Sequence, residues 1–162
     1  PTLWGSDERM RASYLATFPG HYDTSDAGMV DEEGYVWVMG RTDDIIISSG
    51  YRIGPSEIED ALIRHPAVAA AGVIGKPDPL RTEIVVAYVV LRDGFAASAA
   101  LAKELQDHAR TRCAVHNYPR EVVFLTALPM TVTGKVMRRE LRKLAATDAA
   151  PSNDTPLPEP AA

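Results

Sequence analysis

With 162 residues, 46% hydrophobic content and a net charge of -5, the chain is sized for about one domain with its own core, and its acidic balance speaks against nucleic acid as a partner. A single cysteine, Cys113, excludes an internal disulfide and suits a reducing compartment, so a cytoplasmic location is expected. No apolar run approaches the ~20 residues that span a bilayer, and a start at Pro1 without a targeting segment is expected of a processed product or a fragment.

The first stretch, Pro1 to Gly20, mixes charge and aromatics. Asp7-Glu8-Arg9 and Arg11, followed by Tyr14, Leu15 and Phe18, predict a short helix that Pro19-Gly20 ends. His21 to Gly28 is dense in short oxygen-bearing side chains, a composition shared by ligand-facing loops and ordinary turns. Met29-Val30, the turn Asp31 to Gly34 and the run Tyr35 to Met39 predict a hairpin.

Gly40 to Glu59, GRTDDIIISSGYRIGPSEIE, changes character midway. Gly40 with Asp43 and Asp44 favours a turn, and Ile45 to Ile47 make a short buried strand. Ser48 to Gly50 end that strand, Tyr51-Arg52 follow at a bend, and Pro55 opens a helix to Arg64 whose Ile58, Leu62 and Ile63 face a core. Arg41 and Arg52 thus bracket one strand, each close to a glycine. A guanidinium fork suits phosphate or ribose oxygens. The same spacing also fits two surface arginines on an ordinary turn.

Downstream, His65-Pro66 stops the helix, Val68 to Ile74 reads as a strand and Lys76 to Pro79 as a loop. Glu83 to Leu91, β-branched and aromatic, predicts a strand that pairs with its predecessor. Ser98 can cap a helix to about Arg112 with Leu101, Leu105 and His108 or Ala109 on one face. Glu121 to Leu125 is a further strand. Leu128-Pro129 starts a loop that ends at Thr133-Gly134-Lys135, and Val136 to Leu144 is a basic helix. From Ala145 on, alanine, proline and acidic residues leave nothing to pack, so 146–162 is expected to be a disordered tail.

This order predicts an α+β domain over 43–145, a small mixed sheet flanked by helices. Residues 1–42 do not fit into it and read as the end of a different, larger unit, joined through a hinge at Arg41 to Asp44. Thr133-Gly134-Lys135 is not a P-loop, because Pro129 stands where the first glycine belongs and Val136 where Ser or Thr must follow. His21, His65, His108 and His116 lack zinc-ligand spacing, and no Cys–His or Ser–His constellation stands out. A lysine beside a glycine in a loop before a helix can stabilise developing negative charge if it is aimed at an anion. A solvated lysine on a basic helix fits the same residues.

Three motifs occur together: Tyr22 to Gly28 (YDTSDAG), Gly40 to Glu59, and Pro129 to Leu141 (PMTVTGKVMRREL). In wording, order and separation they resemble the C-terminal part of the AMP-forming acyl-CoA synthetases of the adenylate-forming superfamily, of acetyl-, propionyl- and medium-chain type. The likeness covers about Pro1 to Leu144. It implies a large N-terminal domain, absent here, that binds ATP and a small carboxylic acid, and a C-terminal lid that closes over it in two orientations. In the first, acyl-adenylate and pyrophosphate form. In the second, coenzyme A displaces AMP.

By that resemblance Asp26 holds the nucleotide ribose, Arg41 lies beside it, Asp43 is the hinge and Arg52 contacts nucleotide phosphate. Lys135 is the catalytic lysine, reaching the carboxylate and α-phosphate oxygens during adenylation and swinging away for thioester formation. Ser49, Gly50 and Arg110 line the path of coenzyme A. A structural cation maps onto Ile63, His65 and Val68, and Mg2+ accompanies ATP. The charge of Lys135 also makes it a target for a lysine acetyltransferase and deacetylase. Ser25 departs from the glycine of most relatives, and Met130 and Val132 stand where basic residues are frequent. Two other readings remain open at this point: a stand-alone binding module without catalysis, and an adenylation domain that loads a carrier protein.

Overall fold

The computed structural model describes residues 3–147. Helix α1 spans Asp7–Tyr14 and ends one turn before Pro19-Gly20. Strands β1 (Asp26–Val30) and β2 (Val36–Arg41) then form an antiparallel hairpin that stands apart from the main sheet. A 3-10 turn over Thr42–Asp44 leads out of it. Little covers this hairpin: Met29, Val30, Val36, Trp37 and Val38 are all exposed, Val36 at 70%.

The larger sheet begins with β3 (Ile46–Ser48) and β4 (Tyr51–Ile53), an antiparallel pair. Tyr51-Arg52 therefore lies in a strand, and not at the bend that was expected. The bend is Ser49-Gly50, with φ of 51° and 83°. Two left-handed residues in succession give a tight turn whose twist matches that of the flanking strands, so pairing resumes at once.

Helix α2 (Pro55–Ile63) starts with proline at its first position and buries Pro55, Ile58, Ala61 and Leu62 along one face. Strands β5 (Val68–Asp78) and β6 (Thr82–Leu91) pair antiparallel along their full length. Lys76 to Asp78, expected as loop, belongs to β5. The strand lies at the sheet edge, where a proline forfeits no ladder bond, so Pro77 does not end it. Helix α3 (Ala99–Arg112) opens with the Ser98 hydroxyl accepting from the Leu101 N–H at 3.1 Å. Strand β7 (Glu121–Phe124) adds parallel to β6, which makes the sheet mixed. Helix α4 (Arg138–Thr147) begins two residues later than expected because Val136 first pairs with Met130 in an isolated bridge. It also runs past Ala145, which is buried against the sheet. The remainder of the expected tail, 148–162, lies outside the described residues.

β6 is the central strand, and its alternation builds two cores. Val85, Ala87 and Val89 face Ile58 and Leu62 of α2 and Leu105 and Ala109 of α3. Val86 and Tyr88 face Leu141 and Ala145 of α4. Each fully buried leucine or isoleucine contributes roughly 1.5–3 kcal/mol, so both layers are firmly seated. Gly72 of β5 decides how closely α4 approaches, since an added Cβ would lie 2.9 Å from Leu141 Cδ1 and 3.1 Å from Val136 Cγ1. The lysine loop is thereby fixed over one face of the sheet, next to the Thr42–Asp44 turn.

Candidate functional site at the hinge and the lysine loop

Asp26 and Arg41 face each other across β1 and β2. The Arg41 guanidinium donates to the Thr24 carbonyl at 3.2 Å and to the Asp43 carboxylate at 3.1 Å. Asp43, with lesser help from Asp26 and Asp44, raises the Arg41 pKa, so this cation is permanent. Thr42 is anchored upstream, its N–H and hydroxyl both donating to the Ser25 carbonyl at 2.9 and 3.1 Å. Ser25 itself sits at φ 57°, a left-handed position that glycine would occupy without strain. The Asp23 carboxylate, accepting from the Ser25 N–H at 2.7 Å, holds that conformation.

Lys135 lies at the end of a closed loop. The Thr131 N–H donates to the Lys135 carbonyl at 2.8 Å, the Lys135 N–H to the Thr131 hydroxyl at 3.1 Å, and the Gly134 N–H to the Thr131 carbonyl at 2.9 Å. Gly134, at φ 79°, makes that turn possible. The Lys135 side chain is exposed, and no ion pair holds its ammonium among the described residues. Its backbone is ordered while its charge stays available.

A groove of about 530 Å³ runs from Asp43 and Asp44 past Arg138 to Lys135. Arg138 spans it, donating to Asp44 at 3.1 Å and to both oxygens of Glu59 at 2.7 and 2.8 Å. Arg142, one turn along α4, donates to the Asp43 carbonyl at 3.0 Å and to Asp44 at 2.8 Å. Glu59 in turn accepts the Val73 N–H at 2.8 Å. The side chains of Arg138, Asp44 and Glu59 are only 19, 14 and 12% exposed, so this is a largely desolvated cluster. The sequence reading placed Asp44 in the turn but gave no role to Glu59, Arg138 or Arg142. The only local signal was two arginines four apart, which share one helix face.

The remaining expected residues are more dispersed. Arg52 projects from β4 beside a cleft of about 200 Å³ shared with Ala27, Thr42, Ile45 and Ile47, between hairpin and sheet. Ser49 and Gly50 form the β3–β4 turn, tied by the Ser49 N–H to the Arg81 carbonyl at 2.9 Å. Arg110 lies on α3, paired with Asp107 at 3.3 Å, and no hydrogen bond or ion pair among the described residues joins it to that turn. The expected cation set lies just past α2. There the His65 ring accepts the Ala67 N–H at Nδ1 and is 3.1 Å from Glu104 at Nε2. Both ring nitrogens are engaged, so the imidazole does not fit as a metal ligand; Ile63, His65 and Val68 could offer only main-chain carbonyls. Burial, with Glu57 adding, pushes the Cys113 thiol up, which keeps it from acting as a thiolate.

His108 stacks edge-on against His65 at 4.9 Å and donates from Nε2 to the Ala61 carbonyl at 3.1 Å. Burial, then Arg112 and His65, hold its pKa below 6.5, against the opposing pull of the Ala61 bond and Glu104. The unfolded chain therefore takes up this proton first as pH falls. Stability is full above about 6.5 and declines below it until the lower folded value is reached. Urea unfolding between pH 7.5 and 5 should show this loss. In His108→Gln the slope should flatten, and an unchanged slope would assign the loss to other groups.

Residues 57–135 match the family model for the AMP-binding enzyme C-terminal domain. The chain is similar to the mitochondrial acyl-coenzyme A synthetase ACSM1 of Homo sapiens, 53% identical over 124 residues, 75% of this chain and 22% of that protein. It is also similar to the acetyl-coenzyme A synthetase of Bacillus subtilis (strain 168), 45% identical over 141 residues, 87% of this chain and 24% of that one. Among solved structures, the anthranilate CoA ligase AuaEII in complex with anthranoyl-AMP superposes with a TM-score of 0.78 at 38% identity, covering 92% of this chain and 28% of that one. The chain spans about a quarter of the length of the curated relatives it matches. By these matches residues 57–135 are an AMP-binding enzyme C-terminal domain, in a chain similar over most of its length to acyl-CoA synthetases and other adenylate-forming enzymes.

Proposed function

We propose that the chain is the lid end of an ATP-dependent acyl-CoA synthetase that activates a short- or medium-chain carboxylic acid. A carboxylate oxygen attacks the α-phosphorus of ATP and pyrophosphate leaves. The sulfur of coenzyme A then attacks the acyl carbon, and AMP departs with that oxygen. One observation carries the reading. An ordered loop presents Lys135 with its ammonium unpaired among the described residues, next to the turn that connects the hairpin of Asp26 and Arg41 to the rest of the chain.

In this reading 1–42 end the nucleotide-binding domain and 43–145 are the lid. The uncovered apolar hairpin supports it, because an exposed Trp37 and three exposed valines are costly unless another part of the protein lies against them. Asp26 and Arg41 then hold the ribose, Arg52 meets phosphate, and Ser49, Gly50 and Arg110 lie along the entry of coenzyme A. Mg2+ would come with ATP, and no residue of this chain is assigned to it. None of the helices among the described residues is long and apolar enough to cross a membrane. A cytoplasmic home suits the unpaired Cys113. The similarity to acyl- and acetyl-coenzyme A synthetases supports CoA-thioester formation as the reaction class.

The test compares this chain with the full-length parent. The 162 residues alone should release no AMP from ATP and acid. The parent should catalyse acid-dependent ATP–pyrophosphate exchange and form a CoA thioester. Turnover by the isolated chain, or exchange that ignores the acid, would overturn the proposal.

A further inference from the structure

We infer that Arg138 and Arg142 are positioning residues that clamp the Lys135 loop to the downstream side of the hinge, so that the moving body begins at the carbonyl of Asp43. The inference rests on the proposed lid role. Bonds on either side of Asp43 divide cleanly. Upstream, Thr42 is bound to Ser25 through its N–H and hydroxyl, and Arg41 is held by Thr24 and opposed by Asp26. Downstream, the Asp43 carbonyl and the Asp44 carboxylate are held by Arg142, and Asp44 is linked through Arg138 to Glu59 and so to β5.

A carbonyl moves with the chain that follows it when the φ or ψ of its own residue turns, because the peptide plane beyond it is rigid. Rotation at Asp43 therefore leaves every arginine bond of this cluster intact. Rotation at Asp44 or Ile45 would tear the Asp43 carbonyl or the Asp44 side chain from α4. Among the described residues, the side-chain bond that crosses the boundary is Arg41 to Asp43, an exposed pair of the kind that resists little. The turn is thus free between the Thr42 Cα and the Asp43 carbonyl, and stiff beyond it. Arginine suits the clamp because its fork reaches two acceptors at once, as both arginines do here. Lys135 lies three residues before Arg138, so the hinge angle is transmitted directly to its ammonium.

Hydrogen exchange read by mass spectrometry tests the clamp on this chain. Arg142→Gln, at the more exposed of the two arginines, should speed exchange in 43–47 and in α4 together by about tenfold while β5 and β6 keep their rates. Arg142→Lys, which keeps the charge and loses the fork, should fall between. Unchanged exchange at 43–47, or acceleration in α4 alone, overturns the inference. Acceleration spread evenly over β5 and β6 overturns it too, since Arg142 would then be a general stability residue. In the full-length parent, Arg142→Gln should lower kcat for acid-dependent ATP–pyrophosphate exchange by about tenfold or more with KM for ATP nearly unchanged, and Arg142→Lys should recover part of it. A change in KM alone, or none, speaks against positioning. A parent that shows no exchange before mutation refutes the synthetase reading and leaves the exchange result on this chain standing.

Discussion

In the full-length parent, Lys135→Ala is expected to reduce acyl-adenylate formation by a factor of about 10²–10³ and to leave thioester formation from supplied acyl-adenylate nearly untouched. The reason lies in where charge develops. During adenylation negative charge builds on the carboxylate and α-phosphate oxygens, and an ammonium presented by a rigid loop stabilises it without reorganising. The loop is closed by bonds between Thr131, Gly134 and Lys135, so the side chain starts from a defined place. Under the proposed two-orientation cycle the lid turns before the thiol step and carries the lysine away, so the two half-reactions should separate. Acetylation of Lys135 removes the same charge and should reproduce the same split. Quenched-flow measurement of each half-reaction decides the matter. Equal losses in both would remove Lys135 from its proposed role.

Arg138→Ala is expected to destabilise this chain by about 3 kcal/mol, because it leaves Glu59 without a counter-charge and Asp44 with Arg142 alone in a largely buried cluster. Two partners make the loss large. Glu59 keeps the Val73 N–H and Asp44 keeps Arg142, so neither is wholly abandoned. Most of the cost comes from the unpaired charge, so adding Glu59→Gln to Arg138→Ala should recover part of it. Urea unfolding at neutral pH measures both variants. A loss below about 1 kcal/mol for Arg138→Ala would mean that the cluster behaves as an exposed ion pair. Hydrogen exchange separates this effect from the positioning effect at Arg142, since a global loss accelerates β5 and β6 and a local one does not.

Much of the fold was legible residue by residue. Pro55 at a helix start, the Ser98 cap and the apolar run Glu83 to Leu91 act through local forces, and each appears where it was expected. The departures have nonlocal causes. Tyr51-Arg52 became strand because a left-handed Ser49-Gly50 turn brings it back onto Ile46–Ser48. Lys76-Pro77-Asp78 stayed in β5 because the edge position makes no demand on a proline N–H. Val136 left its helix to close the loop with Met130.

For the site the division is similar. Asp26, Arg41, Asp43, Arg52 and Lys135 were proposed from motif wording, by resemblance to a family whose chemistry sits in short runs of sequence. Arg138 and Arg142 read as the solvated face of a basic helix, because their carboxylate partners lie 79 and 98 residues away along the chain. Local sequence thus specified the helix starts, the central strand and the lysine at its glycine turn, since propensity, capping and turn chemistry act within a few residues. Which charges are paired was decided by packing α4 across β5 beside the Thr42–Asp44 turn. Ion pairing depends on distance in space, and only the folded chain brings Asp44, Glu59 and the two arginines within reach of one another.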